Sequence, residues 1–549
     1  MRSALIASSK QASFLVRRLK DHDVYSCRCT CTGRKCDGYS QPKHDYQTSI
    51  ISYALESSNS PKHALSPLSE CDNVHHIEFY YHCVGPMLSG RFDTDFWCGI
   101  VLQMAHAEPA VRNAMIALAY LNQQQCGSSA HAHQLAAAQD EQNSRQFCLY
   151  YNKAIKSLVT RMTDASYAPE MGLVTCLLFA CIEFLRAETQ HALLHMRNGL
   201  RIVSELRRNH AVASSSLYLT KLVRNGASGP LDLIEKTLVP VFTQGLISTL
   251  LHGIDVDTEF AFLDSPLQGS HMTGFTSIRE ARFAYCELRN ASILLARNMA
   301  IKIFQGQKPS ASDLERQVQV LSCHCTWSEA LLAFESSRNL SEEDKRCISA
   351  LKIGYYATYT ATACVHSARQ TSFDAHLNSF KAIIYHATLL INAMTVAIPS
   401  RPQAHRLNAA ANFTFDTSLV PALYFAALRC RHPAIRREAI ALLSRNLPRE
   451  GLWDPEQYRI LAERIVQIEE MEVDEEGWPV ERTRLWSGTV TPDAREESGF
   501  RADFLFARDV ERGLGMMWEK GSGRNGEGGL GLTVGELYVD VPVQRDLNN

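Results

Sequence analysis

The apolar and polar positions in the centre of the chain alternate with the period of an α-helix. In residues 190–208, apolar side chains recur at spacings of three and four, from Leu193 through Leu200 to Leu206. This spacing forms one face of an amphipathic surface helix. The preceding stretch, residues 173–185, is apolar on nearly every side, which is typical of a helix buried between other helices. Together the two stretches predict a helical hairpin.

A helix start is predicted at Ser341. Asp344 follows it by three residues, which is the spacing of a capping box, with Asp in place of the usual Glu or Gln. A helix that begins here places Ile348, Leu351 and Tyr355 on its inner face.

Helical patterns of this kind continue from about residue 75 to residue 470, separated by short polar or Gly/Pro breaks. Pro109 stands where a helix can begin at its first turn. No stretch shows sustained alternation with period two, the signal of a half-buried strand. We therefore predict an all-α fold, a large domain of packed helical hairpins over residues 75–470 with no sheet of more than minor size.

Composition sets the boundaries on either side of this domain. Residues 40–74 are rich in Ser, Pro, Lys and His without periodicity, as expected of a linker. Residues 471–549 are rich in Gly, Glu and Arg, so we expect this tail to be largely disordered. Residues 1–39 form a separate Cys-rich and basic segment.

Charge and cysteine usage narrow the class of protein. The net charge is -2, so attraction to nucleic acid has to be local, and residues 1–45 supply nine Lys or Arg against four Asp. Most of the 17 cysteines stand singly in apolar helical stretches, which favours a reducing intracellular compartment. The longest apolar run, 173–185, is too short for a membrane span and contains Glu183. We expect no membrane association and no secretion signal.

The most specific stretch is RRLKDHDVYSCRCTCTGRKCDGY, residues 17–39. Its end, CTCTGRKCDGY, resembles the second half of the six-cysteine binuclear zinc cluster of fungal transcription factors. Six residues separate Cys29 from Cys36, as in that family, whereas Cys27 stands one residue too close to Cys29 for a CxxC pair. The resemblance assigns Cys27, Cys29 and Cys36 as metal ligands. It implies a small, degenerate zinc-cluster remnant ahead of the helical domain.

The first half of that cluster is missing. Residues 13–16 read SFLV where the resemblance calls for a CxxC pair, and no cysteine follows Lys20. Each zinc ion needs four ligands, and two zinc ions can share six cysteines only when some of these bridge both ions, so three matching positions cannot hold the pair. A single zinc site would need Cys31 or a histidine such as His22 or His44 as its fourth ligand. We expect at most one zinc as cofactor.

The same resemblance implies contacts with duplex DNA. Arg17, Arg18 and Lys20 match the family's basic helix, and Arg34 and Lys35 lie in the TGRKCDGY-like end. These five side chains are the predicted DNA-binding residues. Because the metal scaffold is incomplete, we expect weak, non-specific binding to phosphates.

The helical part carries the resemblance further along the chain. Stretches similar to the helical regulatory domain of one branch of these fungal proteins follow one another in order, among them residues 79–121, 177–186, 199–206, 419–443 and REGLWD at 449–454. The resemblance implies a nuclear regulator of RNA polymerase II transcription, with the transcription machinery or co-regulators as partners. Homodimer formation stays open, since residues 40–73 lack sustained heptads.

Two other classes of function compete with this hypothesis. One is a relative without DNA binding that acts on protein partners through its helical domain. The other is a helical enzyme or small-molecule binder, although no HExxH, GxSxG or P-loop pattern is present, and we expect no enzyme. Cys323, His324 and Cys325 form a soft-ligand cluster that we interpret as incidental. Arg436 and Arg437 are interpreted as the solvated side of a helix.

Zinc content tests the ligand assignment directly. We predict that the purified chain contains at most one zinc at its N-terminal segment, held by Cys27, Cys29 and Cys36 with Cys31 or a histidine. Elemental analysis before and after Cys36→Ala measures this. Two zinc ions per chain, lost together in the variant, would contradict the ligand count.

Overall fold

The structure is a computed structural model. It describes residues 71–127, 135–164, 167–186, 188–215, 234–251, 274–396, 413–445, 447–492, 500–510, 516–525, 529–533 and 539–540. The sequence-predicted linker 40–74 and the Cys-rich segment 1–39 lie almost wholly outside these ranges.

The first part of the described chain is helical throughout. Its helices are α1 (Cys71–Phe79), α2 (Gly85–Ser89), α3 (Val101–Ala107), α4 (Pro109–Gly127), α5 (Leu135–Met162), α6 (Pro169–Leu185), α7 (Thr189–Ser215) and α8 (Val239–Leu251). Three π-helical turns, Tyr80–Val84, Phe96–Ile100 and Ile234–Leu238, lead directly into α2, α3 and α8.

The second part adds further helices and short strands. The helices are α9 (Ile278–Phe304), α10 (Ala311–Ser336), α11 (Glu342–Ala363), α12 (Leu377–Val396), α13 (Val420–Arg429), α14 (Pro433–Leu443), α15 (Pro455–Glu469) and α16 (Ala507–Val510), with 3-10 turns at Gln370–His376 and Glu481–Thr483. The strands are β1 (Phe413–Thr414), β2 (Arg449–Glu450), β3 (Leu485–Pro492), β4 (Phe500–Phe506), β5 (Met516–Asn525), β6 (Gly529–Thr533) and β7 (Val539–Asp540). The all-α fold class is confirmed.

The predicted hairpin is present as α6 and α7, which pack against each other. Every residue of α6 from Glu170 to Leu185 is buried, as its all-round apolar sequence predicts. In α7, Leu193, Met196, Leu200 and Val203 face the core. A helix that is apolar on every side is stable only when neighbours cover all of its faces, and α4, α5 and α7 surround α6 here.

The capping prediction at Ser341 is also confirmed. The Ser341 hydroxyl accepts a hydrogen bond from the Asp344 backbone N–H at 3.1 Å, and the Asp344 carboxylate accepts from the Ser341 backbone N–H at 3.2 Å. Ile348, Leu351 and Tyr355 of the same helix, α11, are buried. Ser310 and Asp313 form a second capping box at the start of α10.

The described residues form three apolar clusters. The first is built from α1 to α8 and also includes Ile293, Phe413, Phe415 and Leu452 from the second part of the chain. The second cluster joins α11 to α15 with strands β3 and β4. The third lies among α9, α10 and α11, around Trp327. The first cluster therefore includes residues that are more than 160 positions further along the chain than α8.

Strands occupy the end of the chain, where the sequence predicted a largely disordered tail. β3 to β7 form an antiparallel sheet in which β3 pairs with β4 and β4 with β5. Leu485, Val490, Ala502 and Phe504 of this sheet are buried in the second cluster. Disorder therefore does not describe residues 471–492 and 500–510. Their apolar side chains are few, but the sheet directs them to one face against α15 and α13.

Arg431, Arg436 and Glu469 form a fully buried ion network between α13, α14 and α15. Arg431 Nη2 and Arg436 Nη2 lie 2.9 Å and 2.7 Å from the two oxygens of the Glu469 carboxylate, and all three side chains are 0% exposed. Glu469 also accepts from the Leu485 backbone N–H at 2.8 Å. Burial alone raises the pKa of Glu469, but the two guanidinium groups outweigh it and lower that pKa.

The interpretation of Arg436 as part of a solvated helix side is therefore wrong, whereas Arg437 is exposed and pairs with Glu470. Arg436 is buried because α15 brings the Glu469 carboxylate against α14. Its pKa is lowered by burial, an effect that Glu469 opposes.

Removing the charge of Glu469 should unfold this part of the molecule more readily. In Glu469→Gln, two buried guanidinium groups lose their counter-ion, and breaking a buried ion pair costs about 3 to 5 kcal/mol. Thermal and denaturant unfolding of the purified chain measures the loss. Glu463→Gln on the same helix is the control, since Glu463 is 47% exposed and should change stability little. Equal stability of the two variants would contradict a structural role for the network.

Candidate functional site

The site residues predicted from the sequence lie outside the described part of the chain. This holds for the metal ligands Cys27, Cys29 and Cys36 and for the basic residues Arg17, Arg18, Lys20, Arg34 and Lys35. Their assignment stays a prediction.

A cavity of about 190 Å³ lies where the first and second parts of the helical domain meet. One wall is formed by Met87 of α2 with Gly90 and Arg91, which follow this helix. The opposite wall is the segment from β1 to the start of α13, and β2 closes the cavity with Glu450. β1 and β2 pair in parallel, with Thr414 opposite Glu450, so the two segments are held in a fixed register.

Glu450 is a buried carboxylate that caps helix α13. Its two oxygens accept hydrogen bonds from the backbone N–H groups of Ser418, Leu419 and Val420 at 2.8 to 3.1 Å. Backbone N–H groups at a helix start lack partners within the helix, so the carboxylate satisfies them. Burial raises the pKa of Glu450 to about 8, helped by Asp416 and opposed by these backbone hydrogen bonds.

Asp416 is the second buried carboxylate of the cavity and is only 8% exposed. Its Oδ1 accepts from Gln244 Nε2 of α8 at 2.6 Å, and its backbone N–H donates to Thr414 Oγ1 at 3.1 Å. Its Oδ2 is buried and has no hydrogen-bond partner within the described residues. Asp416 thus connects α8 to the β1 segment through Oδ1, whereas its Oδ2 makes no hydrogen bond within the described residues.

Gly90 makes room for Asp416. It has a φ of 54°, in the left-handed region that favours glycine, and a Cβ atom here would lie 2.4 Å from the Asp416 Cβ. Any other residue would collide with the aspartate and strain the turn after α2. The close approach brings the neighbouring Arg91 to the cavity wall.

Ion pairs and aromatic contacts fix the walls to the rest of the protein. Arg282 of α9 binds Asp93 through two hydrogen bonds of 2.6 and 2.7 Å, and its guanidinium lies 4.6 Å from the centre of the Phe92 ring. On the other wall, Phe415 contacts Trp97 and Phe184 of the first cluster. Both walls are therefore tied to the helices around them.

No motif in the sequence indicates this cavity. REGLWD, which contains Glu450, is only one of the stretches that carry the family resemblance, and no sequence pattern includes Asp416. No sequence spacing relates Glu450 to Asp416, because β2 and the β1 segment come together only through tertiary pairing.

Cys323, His324 and Cys325 lie on α10, and their side chains differ in environment. His324 is buried, with Nε2 2.9 Å from Ser292 Oγ, whereas Cys325 is exposed. Burial lowers the pKa of His324 to about 3. No group of three His, Cys, Asp or Glu side chains in the described ranges could hold a metal ion. None of the helices described is long and apolar enough to cross a membrane.

Comparison with known proteins finds one matching family domain and one similar regulator. Residues 75–227 match the fungal specific transcription factor domain. This match covers α1 to α7 and so includes Met87, Gly90 and Arg91 of the cavity wall. The chain is also similar to the aspercryptin biosynthesis cluster-specific transcription regulator of Emericella nidulans, with 22% identity over 90% of this chain and 93% of that protein. No solved structure matches the chain.

These two findings support the fungal transcription factor family and a role in transcription regulation. Both similarities are to transcription regulators rather than to enzymes. The matched fungal transcription factor domain is one part of a larger folded unit here, because its core also contains Phe413, Phe415 and Leu452.

The raised pKa of Glu450 predicts a pH dependence of stability. In the unfolded chain Glu450 ionises near its usual pKa of about 4.3. In the folded protein it keeps its proton up to about pH 8. The resulting stabilisation is fully present at low pH and is lost as the pH rises from about 4.5 to about 8. Glu450→Gln cannot ionise, so this part of the pH dependence should be absent from its unfolding midpoint. Glu463→Gln should keep the wild-type profile, and an unchanged profile in Glu450→Gln would refute the assignment.

Proposed function

We propose that this protein is a nuclear, DNA-associated regulator of RNA polymerase II transcription of the fungal zinc-cluster type. The observation that carries the proposal is the match of residues 75–227 to the fungal specific transcription factor domain. The similarity to the Emericella nidulans regulator, which extends over 90% of the chain, supports the same function for the remainder.

The N-terminal segment supplies the proposed contact with DNA. Arg17, Arg18, Lys20, Arg34 and Lys35 are the cationic side chains that would neutralise phosphates, and Cys27, Cys29 and Cys36 would hold at most one zinc ion. Phosphate contacts position a protein on the duplex, whereas contacts with base edges give sequence specificity. A reading helix needs a rigid support to reach base edges, and half of the zinc cluster that provides it in the family is absent from the sequence. The proposed contact with DNA is therefore electrostatic.

The helical domain is the proposed regulatory part. Its described surface contains several exposed apolar side chains on α5, among them Leu149, Val159 and Met162, which are 46%, 59% and 55% exposed. Exposed apolar side chains grouped on one helix are typical of protein interaction surfaces. Co-regulators or the transcription machinery are the proposed partners of this domain.

DNA titration tests the proposal. We expect the purified chain of 549 residues to bind random and CGG-containing duplexes with similar, weak affinity. The affinity should fall with salt at the slope of about three to five phosphate contacts. Fluorescence anisotropy at several salt concentrations measures both quantities. Replacing the five N-terminal basic residues with Gln should abolish the binding.

A matched control changes the same number of charges on the helical domain. Five exposed lysines serve this purpose: Lys153, Lys156, Lys308, Lys345 and Lys381. Their replacement with Gln should leave DNA binding nearly unchanged. Tight, sequence-selective binding by the wild-type chain would contradict the electrostatic mode. No binding at all would favour a relative that acts only through protein partners.

A further inference from the structure

Helix α5 has a row of exposed side chains along one face. The row consists of five residues at alternating spacings of four and three, Cys148, Asn152, Ile155, Val159 and Met162. Residues at these spacings lie in line on the surface of an α-helix and match the a and d positions of a coiled-coil seam. Ile155, Val159 and Met162 are 39%, 59% and 55% exposed, so this end of the row presents apolar surface to water. We refer to these five residues as the α5 stripe.

The opposite face of α5 already anchors the helix to the domain. Phe147, Tyr150 and Ala154 are buried in the first apolar cluster. Tyr151 donates a hydrogen bond of 2.6 Å to Glu183 of α6. Within the described residues, the stripe is therefore a second surface that the packing of α5 does not use. An apolar seam along successive helical turns is the kind of surface on which an amphipathic helix packs.

Basic side chains border the α5 stripe. Lys156 precedes Val159 by three residues, which places it beside Val159 on the helix surface. Lys156 is exposed and forms no ion pair with any residue that the structure describes. Lys153 is also exposed and precedes Lys156 by three residues, so the two ammonium groups lie on the same side of the stripe.

Acidic side chains do not offset this charge. Residues 145–162 contain four Lys or Arg and no Asp or Glu, and α4, which packs along α5, contains no acidic residue either. Glu108, just before α4, and Asp164, just after α5, both pair with Arg161, at 3.2 and 2.8 Å. The surface beside the stripe is therefore positively charged in the part of the chain that the structure describes.

Exposed apolar side chains on another helix have the opposite surroundings. Leu314 and Val318 of α10 are 48% and 66% exposed, but α10 contains four Asp or Glu and only one Arg. The basic border therefore distinguishes the α5 stripe from other exposed apolar surface of this protein. The sign of such a border determines which partners a surface attracts and which it repels.

We propose that the α5 stripe binds an amphipathic helix of a partner protein whose apolar seam is bordered by Asp and Glu. Apolar side chains of that helix pack on Ile155, Val159 and Met162, and its carboxylates approach the ammonium groups of Lys153 and Lys156. The α5 helix of a second copy of this chain would bring like charges together, which disfavours it as the occupant. The inference rests on the proposed regulatory role of the helical domain and gives the chemical class of its partner.

Binding of a synthetic peptide to the purified chain of 549 residues tests the proposal. The peptide has Leu at the a and d positions of a heptad repeat and Glu at the e and g positions, and we call it the Glu peptide. We expect saturable one-to-one binding in fluorescence anisotropy. Added salt should weaken this binding, because salt screens the attraction between exposed charges.

Two variants test the apolar and the charged contacts separately. Val159→Ser removes apolar surface from the stripe and should lower the affinity for the Glu peptide by about tenfold. The double variant Lys153→Glu and Lys156→Glu replaces attraction with repulsion and should lower this affinity by about tenfold or more.

Each variant has a matched control. Val318→Ser changes an exposed valine on α10, and the double variant Lys308→Glu and Lys381→Glu reverses two exposed charges outside α5. Both controls should bind the Glu peptide as the wild type does. Thermal unfolding shows that each variant is folded, and all substituted side chains are exposed, so we expect little change in stability.

Failure of the expected binding would overturn the proposal. This holds for no saturable binding of the Glu peptide, and for unchanged binding by folded Val159→Ser or by the folded double variant of Lys153 and Lys156. Self-association of the wild-type chain that Val159→Ser abolishes in sedimentation velocity would also overturn it, because the stripe would then join two copies.

The DNA titration is a separate measurement. Weak DNA binding without peptide binding would overturn this inference and leave the proposed contact with DNA in place. Peptide binding without DNA binding would support this inference and overturn only the contact with DNA.

Discussion

The second part of the helical domain depends on a single buried carboxylate. Glu469 accepts four hydrogen bonds, two from Arg431, one from Arg436 and one from the Leu485 backbone N–H. An ionised carboxylate has about four lone-pair positions, so its capacity is filled. Each donor comes from a different place in the fold, which forces α14, α15, β3 and the end of α13 into one arrangement. A buried charge that is fully satisfied specifies its neighbours more strictly than apolar packing does.

The two carboxylates of the cavity, Glu450 and Asp416, differ in how many of their oxygens are hydrogen-bonded. Both oxygens of Glu450 accept hydrogen bonds from the backbone at the start of α13, whereas Asp416 accepts from Gln244 through Oδ1 and has no partner for Oδ2 among the described residues. Native proteins seldom leave a buried polar atom unpaired. The two carboxylates thus differ in their hydrogen bonding, although both residues are buried and line the same cavity.

The sequence predicts well those features that depend on neighbours within one helix. The α6 and α7 hairpin and the Ser341 cap follow from spacings of three and four residues. The burial of Arg436 does not, because its partner Glu469 is 33 positions away and a periodic pattern assigns charged residues to solvent. The short alternation in β4, from Phe500 through Ala502 and Phe504, was masked by the polar composition around it. The cavity residues Arg91, Asp416 and Glu450 come together only through tertiary contacts, which no local sequence pattern predicts.

Phe413, Phe415 and Leu452 complete the core of the region that matches the fungal specific transcription factor domain. The core of a segment that sequence comparison delimits as a module thus extends beyond that segment in this chain. If residues 75–227 were transferred to another protein by recombination, the apolar surface that these three side chains cover would be exposed to water. Natural selection would therefore retain the N-terminal and C-terminal parts of the helical domain together, and the two parts should be inherited as one unit.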